Sequence, residues 1–89
     1  MERICMMLGE RREVTLSVEI DGSDNFELRN ASYSLSRNGE EVDSGTPLVD
    51  GHEMRVYVEP PEAGVYRLRV AFGIGGERIV RTVRIDTDE

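Results

Sequence analysis

Apolar residues recur at every second position in short runs from Val14 to Ile85, and turn-forming residues separate the runs. This period is the strongest constraint on the fold. Side chains alternate across a strand with a period of two, whereas one helix face repeats every 3.6 residues. In EVTLSVEID, Val14, Leu16, Val18 and Ile20 fall on one side and Thr15, Ser17 and Glu19 on the other. Ala31, Tyr33 and Leu35 alternate with serines, and Asn38-Gly39 follows them. That dipeptide is a strong hairpin signal, because both central turn positions need positive φ. A short return strand, Glu40 to Asp43, stops at Ser44-Gly45, and TPLVDGHE reads as a loop containing an Asp50-Gly51 turn. Met54, Val56 and Val58 alternate until Pro60-Pro61, where proline cannot donate to a ladder. Tyr66, Leu68, Val70 and Phe72 form the next inward set, GIGGE turns the chain, and Val83 and Ile85 face inward on the way back. The adjacent Ile79 and Val80 predict a bulge or slipped register there. About seven short strands with turns every 8–12 residues or so fit an antiparallel β-sandwich, with a small barrel as the alternative.

At 89 residues the chain supplies one domain, and a domain of this size buries roughly two-thirds of its unfolded surface. There is no tryptophan, so aliphatic side chains must fill the core. Charged residues reach 33%, yet the apolar residues stay in regular blocks, which marks a folded, soluble domain rather than a disordered chain. The single cysteine, Cys5, excludes an internal disulfide. The apolar run from Ile4 to Leu8 is too short for a signal peptide, and no stretch is long enough for a membrane span. Residues 1–12 therefore read as an edge strand or a flexible lead-in, 13–86 as the sandwich, and 87–89 as an acidic tail. The compartment stays open. An exported parent chain would place the domain at the cell surface, and a natural product of this length in the cytoplasm or a virion.

The stretch EAGVYRLRV, Glu62 to Val70, resembles the strand-F signature of immunoglobulin-like domains, where a glycine precedes a tyrosine at the start of the strand. The resemblance implies that the Tyr66 hydroxyl bonds back to an upstream backbone group, forming a tyrosine corner. VTLSV resembles strand B, with Val18 where the family has its first cysteine, and Leu68 stands at the second. YSLSRNGEEV resembles strand C running into C′, with Leu35 at the usual tryptophan position. Replacement of all three by aliphatic residues is similar to the disulfide-free Ig-like and fibronectin-III-like modules of prokaryotic surface and multidomain proteins. Such modules act as spacers, adhesion domains or protein- and glycan-binding domains, and the fold does not choose among these.

Enzyme chemistry finds little support. The only histidine, His52, sits in a loop as an ordinary solvated residue, and nothing in the sequence pairs it with Cys5 for nucleophilic catalysis. Glu40 and Glu41 are adjacent, so on a strand they point to opposite faces and cannot converge on one substrate. Asp21, Ser23, Asp24 and Asn25 offer oxygen ligands in one loop, with Asp50 and Glu53 as further donors for calcium. That loop lacks the EF-hand spacing, and an Asx-rich turn explains it as well. No His/Cys cluster suggests zinc, and no cofactor is expected.

The net charge of −7 argues against nucleic acid or an electrostatic membrane anchor. All the basic residues are arginine, which suits forked contacts with carboxylates but also follows from a GC-rich genome. If Tyr66, Leu68 and Val70 face inward, Arg67 and Arg69 face outward, with Arg84 and Thr82 on one neighbouring strand and Ser32, Ser34 and Ser36 on the other. This arginine–serine face is the candidate surface for an acidic protein partner or an anionic glycan. The opposite sheet would show Glu13, Glu19 and Glu59. Cross-strand pairing of the arginines with Glu40, Glu41, Asp43 or Glu77 is the plainer alternative. The loop end that includes Gly73 to Gly76 is a second candidate surface, and oligomeric state stays open.

Overall fold

A computed structural model describes residues 2–20 and 25–89. Eight strands form two sheets: β1 (Glu2–Met7), β2 (Arg12–Ser17), β3 (Arg29–Arg37), β4 (Glu40–Gly45), β5 (Leu48–Asp50), β6 (Glu53–Val58), β7 (Gly64–Ile74) and β8 (Glu77–Asp88). One sheet has the order β1-β8-β7-β3-β4 and the other β2-β6-β5. All pairings are antiparallel except β1 with β8, which is parallel. The result is an Ig-like β-sandwich. It carries one strand more than the expected seven because TPLVDGHE is not all loop: Leu48–Asp50 pairs with β6 across a Gly51 turn at φ 61°.

The alternating residues become the core because both sheets turn that face inward. Tyr66, Leu68, Val70, Phe72 and Ile85 are fully buried, and Leu35, Val56, Val58 and Val83 nearly so. Leu68 lies opposite Leu35 on one side and Val83 on the other. Val18 is buried in the facing layer and belongs to the same apolar core. Asn38 and Gly39 both take positive φ, 52° and 80°, as a tight hairpin between β3 and β4 requires.

The Tyr66 hydroxyl donates to the Glu62 carbonyl at 2.7 Å and accepts from the Glu62 amide at 3.2 Å, closing the turn from Glu62 to Tyr66 that follows Pro60 and Pro61. Tyr66→Phe is expected to cost about 1 kcal/mol, the net worth of an ordinary hydrogen bond. Urea titration reads this directly, and an unchanged midpoint would count against a structural role for the hydroxyl.

Two boundaries shift from the sequence expectation. Thr87 and Asp88 are not a tail but the end of β8, pinned by β1 along one edge, with Thr87 buried and opposite Met6. Among the described residues, the Thr87 hydroxyl is the buried side-chain polar atom left without a hydrogen-bond partner. No bulge occurs at Ile79 and Val80: they pair in unbroken register with Phe72 and Ala71, so Ile79 points inward and Val80 outward. The irregularities fall in β3 instead, between Arg29 and Ser32 and between Leu35 and Ser36. The first contains Asn30 at φ 51°, a conformation asparagine tolerates better than most residues.

Candidate functional site

The outer face of the five-stranded sheet follows from register. Residues directly opposite one another share a face, so one row runs Arg3, Arg84, Arg67, Ser36, Glu41 across all five strands. The next row runs Thr82, Arg69, Ser34, Ser44. Further along, Val80 lies beside Ala71 and Ser32, and Arg78 beside Gly73. The face expected from alternation is thus assembled, with Arg67, Arg69, Arg84, Ser34 and Ser36 as immediate neighbours. Sequence reasoning omitted Arg3 and Arg78. Arg78 was recoverable from the alternation of β8, but Arg3 joins only because β1 adds in parallel to β8.

The arginines on this face divide into two kinds. Arg84 Nε donates to Asp86 Oδ1 at 2.8 Å, and Arg3 Nε lies 2.6 Å from Asp86 Oδ2. The hydrogen bond from Arg84, helped by Arg3, holds the Asp86 carboxyl below the ordinary aspartate range despite some opposing desolvation. Arg67 and Arg69, in contrast, have no ion pair among the described residues, and neither has Arg78. The expected neutralisation by Glu40, Glu41, Asp43 or Glu77 is absent there. Arg84 is paired by Asp86 instead, two residues along the same strand and therefore on the same face.

Arg67 and Arg69 are about 7 Å apart along β7, the span of two residues in a strand. They line a shallow open groove of about 590 Å³ with Ser34, Ser36, Asn38, Glu41 and the exposed Val65. Two unpaired guanidinium forks beside half-buried hydroxyls form a donor-rich surface, suited to carboxylate or sulfate oxygens.

The outer face of the second sheet is not simply acidic. Glu13 accepts from Thr15 and Tyr57 at 3.0 Å each, and Arg55 lies near Glu13, Asp50 and Glu53. Those hydrogen bonds, Tyr57 first, keep the Glu13 carboxyl below its usual range, while Arg11 sits 4.5 Å above the Tyr57 ring. Charges on this sheet are already satisfied by one another. Glu19 and Glu59 are exposed and lie outside the strands.

His52 is not a solvated loop residue. Its ring stacks on Phe26 with centroids 3.8 Å apart, Nε2 lies 3.0 Å from the Phe26 carbonyl, and its own carbonyl accepts from Val18 N–H at 2.9 Å. It ties the segment after β2 to the β5–β6 turn, while Cys5 is exposed on the outer face of β1. The structure therefore does not bring Cys5 and His52 together. Of the calcium candidates, Asp21, Ser23 and Asp24 lie outside the described residues. Asp50 and Glu53 flank Arg55.

No protein-family model matches the sequence, and no curated relative is detected. Solved structures share the fold. An engineered protein superposes with a TM-score of 0.75 at 11% identity, over 97% of this chain and 18% of its own. A protein from Bacteroides vulgatus assigned to the glycoside hydrolases gives 0.59 at 18% identity, over 97% of this chain and 17% of its own. A chain of the titin–obscurin-like 1 Ig complex gives 0.54 at 14% identity, over 97% of this chain and 85% of its own. The chain thus spans under a fifth of the first two proteins. At these identities the likeness is one of fold.

Proposed function

We propose that this chain is a non-enzymatic Ig-like interaction module that captures an acidic protein segment on the outer face of β8, β7 and β3. The observation that carries this reading is the isolation of Arg67 and Arg69. On a chain of net charge −7, two neighbouring arginines make no ion pair among the described residues, although Glu41 lines the same groove and acidic residues are plentiful elsewhere. Like charges on adjacent strands are unfavourable unless neutralised, so an incoming carboxylate-rich segment relieves a cost the free domain carries. Arg84 and Arg3 share Asp86 and serve as the fixed flank of the surface.

The double substitution Arg67→Glu with Arg69→Glu tests this, using a glutamate-rich peptide as probe. Wild type is expected to bind it. The variant should bind at least about 100-fold more weakly, as loss of two charge-assisted hydrogen bonds implies. Its Tm should hardly move, because both side chains are exposed and unpaired. Undiminished binding, or a variant that fails to fold, would remove the reading. A sulfated glycan bound in place of the peptide would reassign the same face to a carbohydrate partner.

A second reading has its own support. Two fold matches, one of them from Bacteroides vulgatus, are longer chains of which this chain spans under a fifth, which fits a spacer module within a longer multidomain protein.

A further inference from the structure

β8 is longer than the strand that covers it. β1 pairs with it only from Val83 to Asp88, while β7 pairs with it all the way back to Glu77. Among the described residues, nothing covers the outer edge of β8 over residues 77–82. Its backbone groups there are free to template another strand. The stretch is apolar at its centre, with Ile79 half-buried against the core and Val80 43% exposed on the outer face. Arg81 is unusual: it lies opposite the buried Val70, so it projects toward the inner side of the sheet yet remains exposed. An inward-directed charge at a sheet edge normally discourages pairing.

We infer that this edge pairs with the same edge of a second copy, antiparallel about a two-fold axis through Ile79. In that register Ile79 meets Ile79, and Glu77 of each copy lies directly opposite Arg81 of the other, on the same side of the joined sheet. The charge that guards the edge against other strands is thereby neutralised twice in this one alignment. On the outer side Arg78 falls opposite Val80, where its aliphatic stem covers the exposed valine. Sliding the axis to Val80 sets Ile79 against Arg81 and Arg78 against Thr82, so no charge pair forms. In this register Gly76, at the turn that opens the incoming strand, falls opposite Thr82, one residue short of Val83, where Glu2 of β1 already pairs. The two five-stranded sheets become one, and their arginine faces run on continuously. The dimer does not depend on what that face binds.

Sedimentation and light scattering from micromolar to millimolar concentration test this. Wild type should move from its monomer mass of 10.0 kDa toward twice that value as concentration rises. Such a short strand pairing sits at the small, weak end of protein interfaces, so the upper range matters. Glu77→Arg and Arg81→Glu should each remain monomeric, because each sets like charges opposite one another. The two single variants mixed together should associate, since each then supplies what the other lacks, and the double swap should associate with itself. Both positions are exposed and make no ion pair among the described residues, so unchanged melting curves show that the variants fold. A wild type that stays monomeric throughout overturns the proposal and leaves the edge to a strand of another protein. Association that survives both single reversals, or a mixture that stays monomeric, also overturns it.

Discussion

Leu68→Ala should destabilise the domain by about 2–5 kcal/mol, the range for truncating a fully buried leucine. The whole domain is expected to have about 4–13 kcal/mol, taking 0.05–0.15 kcal/mol per residue, so this one change removes a large fraction of it. Leu68 has no solvent exposure and sits between Leu35 and Val83 on its flanking strands, with Val18 part of the same core. The chain's single cysteine, Cys5, leaves no internal disulfide to join the sheets. Without a covalent link the sheets are held by packing alone, and a cavity at the centre has no staple to limit its effect. Urea titration at neutral pH should show the midpoint fall while the slope stays constant. Leu68→Met, which keeps most of the volume, should cost less than about 1.5 kcal/mol. Equal losses for the two variants would contradict a packing origin.

Gly64→Ala should cost about 1–3 kcal/mol, although it adds a single methyl group at a half-buried site. Gly64 adopts φ +143°, a region nearly closed to residues with a Cβ. A Cβ there would stand 2.9 Å from Arg37 Nε, and Arg37 is held in place by its ion pair with Glu62. The two penalties are separable. Adding Gly64→Ala to an Arg37→Ala background relieves the steric part and leaves the backbone strain. A loss that vanishes in that background would assign the whole effect to crowding. A loss of under about 0.5 kcal/mol in wild type, the range of ordinary surface changes, would mean the backbone relaxes to ordinary φ at this position.

This glycine also explains the shape of EAGVYRLRV. Glu62 supplies the carbonyl and amide for the corner, Gly64 the backbone angle that turns the chain into β7, and Tyr66 the hydroxyl that closes it. Arg37 from β3 then reaches the Glu62 carboxylate. The motif was legible because its parts are four residues apart at most. The Arg37 contact was not, because those residues are 25 positions apart.

The same division runs through the candidate site. Alternation alone assigned Arg67 and Arg69 to the outer face, since period two is a local property of extended backbone. The pairing of Arg84 with Asp86 was also within reach, because residues two apart on a strand share a face. Arg3 was not, and neither was the open edge of β8. Both depend on where β1 lands, and a parallel pairing between the first and last strands leaves no trace in either one. His52 was misread for a related reason. Its partner Phe26 is 26 residues away, in a segment without strand periodicity.

By itself, then, the sequence determined what is written locally: strands from alternation, the Asn38-Gly39 hairpin from its demand for positive φ, and a disulfide-free core from a single cysteine. Tertiary structure alone decided which charges find partners on other strands, that Thr87 and Asp88 belong to a strand, and which stretch of edge stays uncovered. The physical reason is the range of the forces involved. Backbone conformation is set by a residue and its near neighbours. Neutralisation and edge coverage are set by strands distant in sequence that hydrophobic burial happens to bring side by side.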